Sequence, residues 1–121
     1  IEYINAGHNP PFLFSEDGHQ QLETGTTILG GFRELPFLEK GVVENMSSFL
    51  IFCFTDGFIE TYNEKGEEFG EKHLLNFLKE NLHLDQRDIH SKLISLLNTF
   101  KGENAYVDDI TLLSCRVTAG N

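Results

Sequence analysis

An unbroken apolar stretch from Phe49 to Phe54 ends abruptly in Thr55, Asp56 and Gly57. An apolar run of this length is typical of a strand that is covered on both faces, and it is too short to cross a membrane. A carboxylate at the end of a buried strand is costly unless its charge is compensated. Asp56 therefore either caps the turn that follows, as aspartate often does, or binds a cation.

A second acidic residue favours the cation. Asp108 stands just before an apolar segment, Ile110 to Val117, which predicts another strand. If this strand and strand 49–54 are antiparallel neighbours, Asp56 and Asp108 fall at the same end of one sheet, where neighbouring strands lie about 4.8 Å apart. Oxygen ligands suit Mg²⁺, Mn²⁺ or Ca²⁺ better than Zn²⁺. We therefore predict that Asp56 and Asp108 share a metal ion, with water, substrate or other residues completing its coordination.

Three further residues are candidates for positions at or near this metal site: Gly57, Asp109 and His8. Gly57 lets the backbone turn sharply or approach a bound group closely. Asp109 is expected to cap its loop or to orient a metal ligand. His8 lies in a turn of loop-forming residues, where it can act as a general acid or a ligand because its charge changes near neutral pH. A lone histidine in a turn is more often structural, and we favour that role.

Composition limits the class of protein. A chain of 121 residues has room for about one domain, and a hydrophobic fraction of 40% is enough to build a core. The net charge of −10 argues against a nucleic-acid partner. No signal peptide or membrane-spanning segment is recognisable. Cys53 and Cys115 each lie in an apolar strand, which predicts small core residues in a reducing, cytoplasmic compartment rather than a disulfide.

Periodicity and turn signals predict an antiparallel meander followed by helices. Asp17-Gly18 predicts a tight hairpin turn. Asp85 is expected to cap the clearest helix, which ends before Gly102. The predicted elements are strands 1–6, 12–14, 20–23, 37–44, 49–54 and 110–117, a short helical turn at 58–62, and helices at 71–82 and 85–101.

Four phrases, taken together, resemble a known family. They are Asn5–Pro11, Phe54–Glu60, Asn63–Gly70 and Asp108–Leu112, in this order and spacing. They closely resemble the C-terminal half of the bacterial SpoIIE/RsbU-type branch of the metal-dependent (PPM, type 2C) protein serine phosphatases, over essentially the whole chain. The resemblance implies an α+β fold of antiparallel sheets with two helices on one side, as part of an α-β-β-α sandwich. Residues 1–121 would then belong to a single domain, as the C-terminal portion of a phosphatase catalytic domain whose N-terminal half is missing.

The same resemblance implies an activity and its cofactors. Family members hydrolyse phosphoserine or phosphothreonine on a regulatory protein with a metal-activated water and two Mn²⁺ or Mg²⁺ ions, often in partner-switching control of sigma factors. The substrate is often a phosphorylated anti-sigma-factor antagonist with a STAS fold. Asp56 matches the metal-binding aspartate of the family's Thr-Asp-Gly motif, and Asp108 the first aspartate of its Asp-Asp-x-Thr motif. Asn5 and His8 belong to a turn that is typical of this branch, and they are candidates for positions near the site.

One departure from the family pattern limits the expected activity. The remaining family ligands come from an Asp-Gly-His motif in the N-terminal half, whereas Asp17-Gly18-His19 here occupies a hairpin. We therefore expect the chain alone to bind metal weakly and to be inactive, and an uncovered sheet face makes a homodimer plausible. Two alternatives stay open: a non-catalytic pseudophosphatase that binds a partner protein, and a β domain stabilised by Ca²⁺.

Overall fold

A computed structural model describes residues 1–120, which divide into two compact units. Unit 1 consists of Ile1–Cys53 together with the segment that begins at Leu113, and unit 2 consists of Phe54–Leu112. Both sheet and helix are present, as the α+β prediction requires. That residues 1–121 form part of a single domain stays a prediction. Within residues 1–120, none of the helices is long and apolar enough to cross a membrane.

The secondary structure follows the predicted order of strands first and long helices later. The strands are β1 (Glu2–Tyr3), β2 (Asn5–Ala6), β3 (Phe12–Ser15), β4 (Gly18–Gln21), β5 (Gly25–Thr26), β6 (Gly41–Val42), β7 (Phe49–Phe54) and β8 (Leu112–Val117), and the helices are α1 (Asp56–Ile59), α2 (Gly70–Asn81) and α3 (Gln86–Lys101).

The main sheet of unit 1 has the strand order β4-β3-β7-β8. Strand β3 is antiparallel to both β4 and β7, and Phe12 lies opposite Phe52 while Phe14 lies opposite Leu50. Residues directly opposite each other share a face of the sheet, so these four side chains form one apolar face, and all four are buried. The hairpin predicted around Asp17-Gly18 is confirmed: Ser15 at the end of β3 pairs with Gly18 at the start of β4, and Glu16 and Asp17 form the turn between them.

The prediction that strand 49–54 is covered on both faces is wrong. Leu50, Phe52 and Phe54 are buried, but the alternating residues Phe49, Ile51 and Cys53 are only half-buried. An apolar run cannot distinguish a fully covered strand from one whose second face is partly open.

The prediction for the cysteines is also partly wrong. Both thiols are free, as predicted, but Cys53 is half-buried and Cys115 is exposed. Strand β8 stands last in the sheet order, and every second residue along it, including Leu113 and Val117, is exposed. One face of β8 therefore carries apolar side chains that none of the described residues covers.

Two strand predictions in unit 1 need correction. The predicted first strand is split into β1 and β2, which pair with β6 (antiparallel) and β5 (parallel), so the meander is not antiparallel throughout. Of the predicted strand 37–44, only Gly41–Val42 forms a strand. The preceding segment is held by single contacts instead: the Thr26 hydroxyl donates to Phe37 O at 2.6 Å, and Glu39 N–H donates to Gly25 O at 3.0 Å.

Unit 2 contains the helices, and both long helices predicted from the sequence are confirmed. Asp85 caps α3, where its side chain accepts a hydrogen bond from Asp88 N–H at 2.9 Å, and Gly102 follows the last turn with a positive φ of 59°. The helical core side chains have no exposed surface: they are Leu74, Leu78, Ile89, Leu93 and Leu97. Burial of these stripes stabilises the helices, since a helix in water is otherwise marginal.

Candidate metal centre

The Thr55-Asp56-Gly57 turn is fixed by the start of α1. Thr55 is extended, and its carbonyl accepts a hydrogen bond from Phe58 N–H at 3.1 Å. Asp56 is the first residue of α1, and its carbonyl accepts from Glu60 N–H at 2.9 Å. The Asp56 residue is exposed, whereas Gly57 and Phe58 behind it are buried. The turn therefore presents a carboxylate from a well-anchored backbone.

The start of β8 lies beside the end of β7, as the argument from the sequence required. Thr55 N–H donates a hydrogen bond to Thr111 O at 3.2 Å. Because Thr55 follows β7 and Thr111 precedes β8, the two neighbouring strands meet at opposite chain ends, which is the antiparallel arrangement. The acidic segment Asp108–Asp109 is thereby brought to the Thr55-Asp56-Gly57 turn.

Gly57 is in close contact with the acidic segment. A β-carbon built on Gly57 would stand 2.5 Å from Asp109 O and 3.1 Å from Asp108 O. The backbone of both aspartates therefore packs directly against the residue that follows Asp56. Asp109 N–H also donates to Asp108 Oδ1 at 2.7 Å, which holds the Asp108 carboxylate close to its own loop, as aspartates do in turns.

Thr55 is a site residue that the sequence analysis missed. Its hydroxyl donates to Asp109 O at 3.1 Å and accepts from Thr111 N–H at 3.0 Å. The signals available in the sequence were its place immediately before the candidate ligand and its membership of the Thr-Asp-Gly motif.

The donor set fits a hard divalent cation but is incomplete. Asp56 and Asp108 are exposed carboxylates on adjoining backbone segments, and carboxylate oxygens suit Mg²⁺ and Mn²⁺. Among residues 1–120 there is no group of three or more His, Cys, Asp or Glu side chains placed to hold a metal ion. The described part of the chain therefore offers Asp56 and Asp108 as metal ligands. A full coordination shell needs further ligands.

The unit that carries these two aspartates is acidic. Residues 54–112 contain twelve Asp and Glu against six Lys and Arg. Within this unit, the neighbouring Glu68 carboxylate and the hydrogen bond that it accepts from Tyr62 raise the pKa of the Tyr62 phenol. A negative potential raises the local concentration of cations, although salt screens it beyond about 10 Å at 0.1 M.

Asn5 and His8 form a local turn in unit 1. The Asn5 side-chain amide donates to His8 O at 2.9 Å and to Leu22 O at 3.0 Å, and its oxygen accepts from His8 N–H at 2.8 Å. His8 Nδ1 lies 2.6 Å from Asn9 O. These contacts are those of a local turn, and the structural role that we favour for His8 stays a prediction. Proximity of Asn5 and His8 to the aspartates stays a prediction.

Comparisons with known proteins identify the family and the fold. The family model described as Stage II sporulation protein E (SpoIIE) matches residues 1–118. The SiaA-PP2C domain of Pseudomonas aeruginosa superposes with a TM-score of 0.73 at 20% identity, over 95% of this chain and 45% of that one. The RsbU and RsbW domains of Rv1364c from Mycobacterium tuberculosis give 0.56 at 25% identity, over 99% and 33%. A search of the curated proteins gave no significant match.

The extent of these matches establishes the family of the chain but does not extend to the function of the whole relatives. The chain spans less than half the length of either solved relative, and the similarity to the SiaA domain at 20% identity concerns the fold. The family match, by contrast, covers all but the last three residues of the 121-residue chain. The chain is therefore a member of the SpoIIE family with the fold of part of a PP2C domain, in agreement with the resemblance in its motifs.

Proposed function

We propose that this chain is the C-terminal portion of the catalytic domain of a metal-dependent protein phosphatase that hydrolyses phosphoserine or phosphothreonine on a regulatory protein. The observation that carries the proposal is the contact between the two motifs: Gly57, next to Asp56, packs directly on the backbone of Asp108 and Asp109. Two acidic segments 52 residues apart in the sequence are in backbone contact, which supports a divalent cation shared between them. Membership of the SpoIIE family supports the same assignment.

Asp56 and Asp108 would hold Mn²⁺ or Mg²⁺, with Gly57 and Asp109 fixing the backbone around them. When bound, such ions lower the pKa of a coordinated water and neutralise the oxygens of a phosphoryl group. The chain's own contribution is to bind and orient: the backbone of Asp56 is set by the first turn of α1, and the Asp108 carboxylate accepts a hydrogen bond from Asp109 N–H. The complete domain would hold two ions.

The chain would need the upstream half of its domain to work. It corresponds to 45% of the SiaA-PP2C domain, which supports the view that residues 1–121 are one part of a larger catalytic domain. Two aspartates are too few for a Mg²⁺ or Mn²⁺ site without several waters or substrate oxygens. The chain alone would therefore bind metal weakly and be inactive. Its exposed apolar residues, such as Leu113 and Val117, would be covered by the upstream half or by a second copy.

The relatives support a proposal for the substrate and the setting. The name of one solved relative pairs an RsbU with an RsbW domain, which supports a role in bacterial partner switching, with a phosphorylated regulatory protein such as a STAS-type anti-sigma-factor antagonist as substrate. Such signalling is cytoplasmic. The net charge of −10 disfavours a nucleic-acid substrate, because phosphate backbones attract basic surfaces.

The test restores the upstream half and measures Mn²⁺-dependent phosphate release from a phosphoserine protein or peptide. Asp56→Asn and Asp108→Asn are expected to abolish the Mn²⁺-dependent rate. Asp85→Asn is the matched control, because it makes the same chemical change at an exposed aspartate and asparagine is an equally good helix cap. Activity that survives both Asp56→Asn and Asp108→Asn would contradict the assignment of the metal ligands.

A protein-binding module without chemistry is the second candidate, and one observation favours it. The described residues offer two carboxylates and no larger ligand cluster. If the extended protein is folded, binds its partner and releases no phosphate from varied phosphoserine and phosphothreonine substrates, the binding module replaces the phosphatase. Binding of Ca²⁺ in preference to Mn²⁺, with no effect on phosphosubstrates, would instead favour a Ca²⁺-stabilised domain.

A further inference from the structure

Thr55 makes three contacts with the segment that carries Asp108. Its backbone N–H donates to Thr111 O at 3.2 Å, its hydroxyl accepts from Thr111 N–H at 3.0 Å, and the same hydroxyl donates to Asp109 O at 3.1 Å. The side chain thus uses both its donor and its acceptor capacity on one short stretch of another segment.

The ordinary role of a threonine at this position is helix capping, and Thr55 does not perform it. Thr55 is the N-cap residue of α1, where a threonine oxygen usually accepts a hydrogen bond from an N–H of the first turn. Its side chain makes no such bond here. The hydroxyl is directed at Asp109 and Thr111 instead, so the contact that would stabilise α1 is replaced by one between segments.

Gly57 contacts the same segment from the other side of Asp56. The absence of a side chain lets Asp109 O and Asp108 O approach to 2.5 Å and 3.1 Å from the position of a β-carbon. Asp56 is therefore flanked by one residue that holds the Asp108–Asp109 backbone by hydrogen bonds and another that holds it by direct packing. Separation of the two acidic segments would break these contacts.

We propose that Thr55 is a positioning residue for the metal site: its hydroxyl fixes the Asp108–Asp109 backbone relative to Asp56, and so sets the affinity for the divalent cation. The inference rests on the proposed function of Asp56 and Asp108 as ligands. Thr55 has no contact with the metal in this view. It acts by holding together the two backbone segments that carry the carboxylates, which removes an ordering cost from binding.

The test compares two substitutions in the protein that includes the upstream half of the domain. Thr55→Val removes the hydroxyl and keeps the branched shape, whereas Thr55→Ser keeps the hydroxyl. Mn²⁺ binding is measured by titration with the electron paramagnetic resonance signal of the free ion. Thr55→Val is expected to weaken binding by about 10- to 100-fold, the range for partners that orient metal ligands, and Thr55→Ser to stay close to the parent protein.

A second readout does not need the metal. In the metal-free protein, hydrogen exchange of the Thr111 amide is expected to accelerate in Thr55→Val, because this amide donates to the Thr55 hydroxyl. In Thr55→Ser the exchange rate of this amide is expected to stay close to that of the parent protein. Ile89→Val is the stability control, since it removes a methyl group from the core of α3. It is expected to lower the melting temperature while leaving Mn²⁺ affinity unchanged.

The outcomes separate this inference from the proposed function. Parent-like Mn²⁺ affinity in Thr55→Val, beside a clear loss in Asp56→Asn, would overturn the role of Thr55 alone. Equal weakening in Thr55→Ser and Thr55→Val would also overturn it, because the hydroxyl would then be irrelevant. A parent protein that binds no Mn²⁺, or that binds it unchanged after Asp56→Asn, would overturn the proposed function and this inference with it.

Discussion

Gly57 and the backbone carbonyl of Asp109 are so close that no side chain fits between them. A β-carbon on Gly57 would lie 2.5 Å from Asp109 O, a separation that real β-carbons do not show. The position does not require glycine for its backbone conformation, because Gly57 lies in α1 and is not among the glycines with positive φ. The requirement is for close approach between the two segments that carry Asp56 and Asp108.

Gly57→Ala is therefore expected to push the acidic segment away from α1. Inserting a methyl group into a packed site typically costs about 1–3 kcal/mol, and the free energy of unfolding should fall by that amount. Urea unfolding followed by circular dichroism measures the change. Gly120→Ala is the control, since a β-carbon there would meet nothing within 4 Å. A Gly57→Ala protein as stable as the parent would show that the segment moves without cost.

Asp85→Ala tests the cap of α3. The Asp85 side chain accepts from Asp88 N–H at 2.9 Å, and loss of such a cap typically lowers stability by about 1 kcal/mol. Asp85→Asn keeps an oxygen in the same place and should change stability by much less. Thermal unfolding of both variants distinguishes capping from a charge effect, because equal losses in the two would mean that the negative charge matters and the hydrogen bond does not.

The helices were predictable because their signals are local. A 3.6-residue apolar period and a capping aspartate lie within one short window of sequence, so Ile89, Leu93 and Leu97 could be assigned to one buried face. The adjacency of Asp56 and Asp108 was also predictable, since strand order and direction place both at one end of the sheet. That step needed only the two apolar strands and the acidic residues at their ends.

The failures concern interactions between distant segments. Strand 37–44 was wrong because a strand exists only where a partner pairs with it, and the partner β1 offers just Glu2–Tyr3. The contacts of Thr55 were missed because they depend on the path of the 108–111 loop, which no local pattern encodes. Open faces, such as that of β8, look apolar in sequence whether or not anything covers them.

Leu93 and Ile94 are adjacent residues that should respond differently to truncation. Leu93 has no exposed surface, whereas Ile94 is 36% exposed. Leu93→Ala should lower the free energy of unfolding by about 2–5 kcal/mol, because a buried leucine leaves a cavity when truncated. Ile94→Ala should cost well under half of that. Denaturant titration of both checks the orientation of α3, and a larger loss at Ile94 would mean that the helix is rotated.

The two cysteines should react with iodoacetamide at different rates. The thiolate is the reactive form, and burial raises the pKa of the Cys53 thiol, with a smaller contribution from the nearby Cys115. At neutral pH Cys53 is therefore both less accessible and less ionised than an exposed thiol, while Cys115 is exposed. Mass spectrometry of the folded chain should find Cys115 alkylated first. The rate at which Cys53 is labelled should then increase as the pH rises toward the raised pKa of its thiol. Cys115→Ser should leave a slowly labelled protein and Cys53→Ser a rapidly labelled one. Faster labelling of Cys53 would contradict the exposed face of β8 and the half-buried face of β7.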